Sequence, residues 1–331
     1  MYYSRQNCIE RGVVTVKKVL ESFDMAAFSF VSFQHLNIFD VRSKQRIPQN
    51  SKTAIAIIFP YYNKSAFCGN VSAYCAVADY HIVVMEQLKS IISALQQKYP
   101  NNSFAPFVDS SPIDEVDMAV KGGLGVKGQS SLLITEKWGS FVFIGEIITD
   151  LEWETVLCDY KYCIGCGLCE KHCPGRAISV QEVTGETAGG CTLCGEEFSA
   201  ESRASCGEAS AAENPSENIK QAKGERRYIK TENCASFISQ KKQELSAEET
   251  AILGRAKTVF GCDICQKVCP HNRKLLDGSA ETAGEENLFS GDIFHTVTEE
   301  NVADVYKQRA FGFRGLKVLE RNLKIYGEET L

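Results

Sequence analysis

The sequence predicts an α+β protein whose second half is a cysteine-bound module, and three observations carry that expectation. Short β-rich runs alternate with helical patterns from Thr53 to Ile148. Two cysteine runs, Cys163 to Cys173 and Cys262 to Cys269, each end in Cys-Pro. The chain has 331 residues, 44% hydrophobic and 24% charged, which is ordinary for a globular protein and enough for one sizeable core with a smaller module.

Taken in order, Val13 to Phe23 reads as a helix and the polar run Arg42 to Ser51 as a loop. Thr53 to Phe59 is short, β-branched and closed by Pro60, as a buried strand would be. From Tyr80 to Tyr99, Val84, Leu88, Ile91, Ile92 and Leu95 keep helical spacing, and Pro100 stops the segment. A surface-facing helix backing a sheet follows. Then Ser111 as N-cap, Pro112 at the first helical position and Asp114 as the returning acid predict a helix start. Asp109 is thereby expected at the end of an extended segment, just outside a helix N-terminus. A glycine-rich turn, Gly122 to Gly128, leads to strands at Ser131–Ile134 and Phe141–Ile148. Its G-x-G-x-x-G spacing lacks the strand before and helix after that a dinucleotide site needs, so the glycines are read as giving backbone room beside a flat cofactor or ending the helix.

The first cysteine run has the spacing C-x2-C-x2-C-x3-C-P, the bacterial ferredoxin signature. The second, Cys262, Cys265 and Cys269 with Pro270, lacks one ligand, which Cys234 supplies as the only cysteine between Cys206 and Cys262. By ligand exchange, Cys163, Cys166, Cys169 and Cys269 would hold one [4Fe–4S] cluster and Cys173, Cys234, Cys262 and Cys265 the other. Zinc or a disulfide framework are the rival readings, and neither explains two Cys-Pro endings. Fifteen cysteines in such a chain point to a reducing cytoplasm. The N-terminus shows no basic region followed by an apolar run, and no apolar run is long enough to span a bilayer, so no membrane association is expected.

Residues 181 to 225 are rich in Glu, Ser, Ala and Gly and read as a flexible insertion. Its Cys191, Cys194 and Cys206 are read as reduced thiols, with a further metal site as the alternative. The net charge of −6 excludes indiscriminate coating of nucleic acid but not a local basic patch. Two basic stretches exist, one at Lys220, Lys223, Arg226, Arg227 and Lys230, the other at Lys307, Arg309, Arg314, Lys317, Arg321 and Lys324. Tyr306, Phe311, Phe313 and Tyr326 interleave with the second, which suits either an RNA loop or an amphipathic tail packed on the protein.

These residues together resemble epoxyqueuosine reductase. The resemblance is carried by Ala78-Asp79-Tyr80-His81, by Val108-Asp109-Ser110-Ser111-Pro112 with Glu115, by Gly122-Gly123-Leu124-Gly125, by Gly139-Ser140, by the first cysteine motif with Pro174, and by Gly261 to Asn272. It is to a short form without the C-terminal helical repeats of longer members, and it covers about residues 45 to 325 apart from the insertion. Val126 and Gln129 stand where the family has an aromatic and a lysine, and Ala73 where it has an arginine.

The resemblance implies a nitroreductase-like cobalamin-binding domain over residues 1–155, then a ferredoxin-like double [4Fe–4S] domain over 156–275 interrupted by the insertion, then a basic C-terminal tail over 276–331. Asp109 is implied as the proton donor when the epoxide becomes an alkene. For that it must hold a proton near neutrality, so burial has to outweigh the nearby helix N-terminus. Arg46, Tyr74, His81, Asp109, Ser110, Gly123 and Gly125 are the implied cofactor contacts. The implied partners are tRNA and a small electron donor such as ferredoxin or flavodoxin, and the chain is expected to be a monomer. The alternatives are a paralogue reducing another group and a two-cluster electron-transfer protein.

Overall fold

A computed structural model describes residues 16–23, 25–38, 43–153, 155, 157–182, 225–281, 286–291 and 293–328. Two compact units result: Met1–Ile178 with Ile229–Leu331, and Ser179–Tyr228. The inserted cysteines Cys191, Cys194 and Cys206 lie outside the described residues, as do Lys220 and Lys223.

The larger unit is built on an antiparallel sheet in the order β1 (Ala27–Ser32), β2 (Thr53–Pro60), β6 (Val142–Thr149), β3 (Phe104–Val108). Strand β2 is buried along its whole length because both faces of the sheet are covered. Ile55, Ile57 and Phe59 point to one side, where the helix Tyr80–Lys98 lays Val84, Leu88, Ile91 and Leu95 against them. Ala54, Ala56 and Ile58 point to the other, against Met118, Ala119 and Val120 of the helix Glu115–Lys121. Each of the buried Val, Leu, Ile, Met and Phe side chains among these contributes about 1.5–3 kcal/mol, so the period-2 strand and the 3.6-period helix lock one another in register. A two-stranded ribbon, β4 (Val126–Lys127) with β5 (Leu133–Ile134), carries the glycine-rich turn. Strands β7 (Ile178–Glu182) and β8 (Glu225–Ile229) pair as a separate two-stranded sheet.

Three expectations are corrected. The Arg42–Ser51 run contains a short 3-10 helix at Ser43–Arg46 rather than loop throughout. The helix expected from Ser111 begins at Glu115, because Asp114 is its N-cap and accepts from the Asp117 N–H at 2.9 Å. Ile113 is instead held extended by a bridge to Ile38. The strand expected over Ser131–Ile134 shortens to Leu133–Ile134, since Ser131 takes a positive φ of 61° and closes a turn onto Gly128.

The cysteine loops are fastened to this sheet by buried polar contacts. The Ser140 N–H donates to Asn272 Oδ1 at 2.9 Å, Ser140 Oγ donates to Gln266 Oε1 at 2.9 Å, and Asn272 Nδ2 donates to Ser140 Oγ at 2.8 Å. The Ala73 N–H donates to Asp263 Oδ2 at 2.7 Å. A Cβ on Gly139 would stand 2.0 Å from Asn272 Oδ1, so only glycine fits before Ser140. The C-terminal helix Leu316–Glu328 is tied in by Asn322, whose amide donates to the carbonyls of Ser239 and Val259, both at 2.8 Å. Among the described residues no helix is long and apolar enough to cross a membrane.

Candidate active site and thiol centres

Asp109 follows the last residue of β3 with a φ of 58°, a left-handed conformation uncommon for a residue with a Cβ. It is six residues before the first helical residue, Glu115, so the Glu115–Lys121 N-terminus is not its electrostatic neighbour. Its neighbour is His81. Asp79 caps the long helix by accepting from the His81 N–H at 3.0 Å and from the ring Nδ1 at 2.8 Å, which turns Nε2 toward Asp109 Oδ2 at 3.4 Å. The ring stacks on Tyr80, which in turn stacks on Phe143 at 4.3 Å.

The condition set for Asp109, that burial outweigh its neighbours, turns on His81. Burial raises its pKa, but the His81 hydrogen bond outweighs burial and holds the carboxyl below its usual range, with Tyr80 and Arg314 acting the same way. Burial pulls the imidazolium down, yet hydrogen bonds to Asp109 and Asp79 push His81 up to about 9. Near neutrality the proton belongs to His81, and Asp109 is its ionised partner.

Asp109 borders a cavity of about 330 Å³. Its walls are largely apolar and aromatic, with Tyr74, Tyr80, Phe143 and Leu133 among them, and its far end is formed by Cys234, Cys262 and Cys265. Of the expected cofactor contacts, Tyr74 and Asp109 line this cavity. Arg46 and Ser110 meet each other beside Asp109, Arg46 donating to the Ser110 carbonyl at 3.1 Å and lying over the Phe107 ring. Gly123 and Gly125 are not in the lining. Gly123 turns the chain at a φ of 77°, and a Cβ on Gly125 would stand 2.4 Å from the Ile134 carbonyl oxygen, so both are accounted for by the chain's own close approach.

The sequence-based reading passed over Tyr80, Phe143, Ser140, Gln266 and Glu115 as lining residues. The signal for Glu115 was present as a family motif position but was absorbed into the helix start. Behind it lies Glu146 of β6, which is 1% exposed. Ser111 Oγ donates to Glu146 Oε2, and Oε1 has no hydrogen-bond partner among the described residues. Burial pushes Glu146 well above the usual carboxylate range, with Glu115 and Asp114 adding to the shift and the Ser111 hydrogen bond opposing it. A folded-state pKa above the unfolded one means that stability is complete below pH of about 4 and is lost as pH rises, because the unfolded chain then ionises. Glu146→Gln is accordingly expected to raise the melting temperature at pH 8 and to change it little at pH 4, as followed by circular dichroism.

The eight expected thiol ligands come together as two sets. Burial raises the Cys169 thiol, with Cys163, Cys166 and Cys269 adding to it. Burial pushes Cys262 up to about 12, opposed by the Ile264 N–H and aided by Asp263, Cys234 and Cys173. Cys265 sits against Cys262 and Cys234, and also near Cys169 of the other set. Backbone N–H groups point at the sulfurs: Ala177 donates to Cys173 Sγ at 3.2 Å, and His271 and Asn272 donate to Cys269. Gly165 and Gly167 take the positive φ expected of them, 68° and 72°.

Of the basic residues in the C-terminal segment, Arg309 is buried and Arg321 donates to the carbonyls of Lys241 and Gln243 at 2.9 and 2.6 Å. Phe311 is buried, whereas Phe313 is 56% exposed, carries Arg314 over its ring, and meets the His81 ring edge-on at 5.8 Å. The segment is thus both a packed tail and, at Phe313 and Arg314, part of the rim near Asp109.

The site thus places the carboxylate of a hydrogen-bonded carboxylate–imidazole pair in the lining of an aromatic cavity that also includes three thiols. A family model described as epoxyqueuosine reductase QueG, DUF1730 matches residues 42–110, which include Arg46, Tyr74, His81, Asp109 and Ser110, and a 4Fe-4S binding domain model matches residues 159–179. The chain resembles epoxyqueuosine reductases: it is 28% identical over 298 residues to that of Leadbetterella byssophila, spanning 88% of this chain and 83% of that protein. It is 26% identical over 303 residues to that of Cyclobacterium marinum, spanning 89% and 82%. The fold is shared with the Streptococcus thermophilus epoxyqueuosine reductase at a TM-score of 0.62 and 21% identity, over 96% of this chain and 81% of that one. An epoxyqueuosine reductase crystallised with an epoxyqueuosine-modified tRNA-Tyr stem loop superposes at 0.64 with 16% identity, over 97% and 81%.

Proposed function

We propose that this chain reduces epoxyqueuosine in tRNA to queuosine, with electrons passing from a small electron carrier through two [4Fe–4S] clusters to cobalamin at the cavity. The observation that carries the reading is the cavity itself, whose lining includes Asp109 together with Cys234, Cys262 and Cys265. All three of those thiols belong to one set of four, so a cluster held by Cys173, Cys234, Cys262 and Cys265 would be the one beside the cavity. The other, held by Cys163, Cys166, Cys169 and Cys269, is the entry point.

The donor chemistry fits. Each set is all-thiol, with backbone N–H groups directed at sulfur. Four thiolates on a cube each take a different iron and so stand apart. Among the described residues no three His, Cys, Asp or Glu side chains converge on one ion-sized point, as a lone zinc ion would require. Tyr74, Tyr80 and Phe143 offer apolar contact to part of a broad, flat group, the cavity of about 330 Å³ being too small to take a whole corrin, and bound cobalamin would supply electrons to the substrate there.

The chain's own residues manage the proton. Breaking a C–O bond while adding electrons leaves charge on oxygen, and a positioned acid discharges it. The His81–Asp109 pair holds one proton in reserve at neutral pH. Substrate covering the pair excludes water, which disfavours the separated charges and drives the proton onto Asp109, the member that borders the cavity. Phe313 offers an exposed ring at the rim, and Arg314 a cation for phosphate or a stacked base.

The test is anaerobic reconstitution with iron, sulfide and cobalamin, followed by a single turnover on tRNA carrying epoxyqueuosine. Queuosine in the digested tRNA is the expected result. Cobalamin binding without queuosine would overturn the substrate, and no cobalamin binding would overturn the cofactor.

A further inference from the structure

Converting an epoxide to an alkene breaks two C–O bonds, forms one C=C bond and releases the oxygen as water. That takes two electrons, delivered one at a time by a reduced electron-carrier protein, and two protons. The His81–Asp109 pair accounts for one proton. The other has no assigned source in the reading above, on which this inference rests.

Glu115 lines the same cavity as Asp109 and is the first residue of the helix Glu115–Lys121. The groups that act on it directly are acidic, while the cations of the site, His81 and Arg314, act on Asp109. Asp109 faces it from the end of β3, Asp114 precedes it, Glu146 lies in β6, and Tyr80 stands across the cavity wall. The cations nearby are engaged elsewhere, Lys121 with Asp117 at 2.8 Å and Lys127 with Asp114 at 3.5 Å. Glu146 behind it is sealed from water and has an oxygen without a partner among the described residues.

We propose that Glu115 is the second proton donor of the site, delivering to the departing oxygen the proton that completes water. After Asp109 has protonated the oxygen on opening of the first C–O bond, the Glu115 carboxyl protonates the resulting hydroxyl as the second bond breaks. Glu115 is left as the carboxylate and regains its proton from solvent when product leaves.

Burial pushes Glu115 up to about 8, with Asp109 and Asp114 adding to the shift, so the carboxyl carries its proton at neutral pH and loses it as pH rises through that value. His81 keeps its proton to about 9. Single-turnover queuosine formation by the reconstituted wild-type chain is therefore expected to fall above pH 8. Glu115→Gln is expected to be slower by about 100-fold, the usual worth of a general acid, and to hold its residual rate flat to about pH 9. Infrared spectra of the cofactor-free chain give a second readout. A protonated-carboxyl C=O band should titrate away near pH 8 in the wild type, and that step should be missing in Glu115→Gln.

A wild-type chain that makes queuosine, beside a Glu115→Gln variant of equal rate and unchanged pH profile, overturns this inference alone. Absence of the infrared step in the wild type overturns it too. A reconstituted wild type that makes no queuosine overturns the underlying reading, and the inference with it.

Discussion

Replacing Cys265 by serine is expected to abolish single-turnover reduction of epoxyqueuosine and to lower the iron content of the reconstituted chain from about eight to about four per molecule. Cys265 forms part of the cavity wall and sits with Cys262 and Cys234, so its loss removes the cluster that faces the reaction. Cys166, in the other set, is not part of the cavity lining. Cys166→Ser should lose the same amount of iron, yet retain single-turnover activity when a strong chemical reductant replaces the carrier protein, because only the entry point is missing. Iron analysis, electron paramagnetic resonance and one-turnover product analysis separate the two. Wild-type turnover by Cys265→Ser would show that electrons reach the cavity by another route.

Asp109→Asn is expected to bind both cofactors and to form queuosine about 1,000-fold more slowly, within the usual range for loss of a general acid. The side chain keeps its shape, but the amide cannot pass on a proton. The substitution also removes the anion that holds the proton on His81, so the imidazolium pKa should fall from about 9. That fall is readable by NMR titration of the cofactor-free chain, which separates the electrostatic account from activity. An unchanged rate would remove Asp109 from its role, and an unchanged His81 titration would show that the pair does not share its proton.

Several features of this site could be read in the residues because they rest on local spacing. The cysteine intervals identify thiol-bound iron–sulfur chemistry, and the periodicity of Val84, Leu88, Ile91 and Leu95 identifies the buried face of the long helix, as found. The start at Ser111 was misread because Ser111-Pro112 and Asp114 each satisfy a capping rule. What decides between them is the bridge from Ile113 to Ile38, a contact 75 residues away in the chain. The charge state of Asp109 is not legible in the sequence for a similar reason. A helix N-terminus is visible in the sequence, whereas a histidine 28 residues earlier becomes the dominant neighbour only after the sheet and helix have packed. In the basic C-terminal stretch, composition did not distinguish Arg321, which holds carbonyls, from Arg314, which faces the rim.

The hydrogen bonds joining Ser140 to Gln266 and Asn272 connect segments that are made far apart in time. Those partners are 126 and 132 residues apart, so forming the contact requires closing a long loop. During synthesis the sheet carrying Asp109 is complete by Thr149, while the residues that close the far wall, Cys262 and Cys265, have not yet been made. At that point His81 and Asp109 exist, but Cys262 and Cys265 of the cavity lining do not. A chain ending before Asn272 would lack the amide that joins Ser140 to the second cysteine loop.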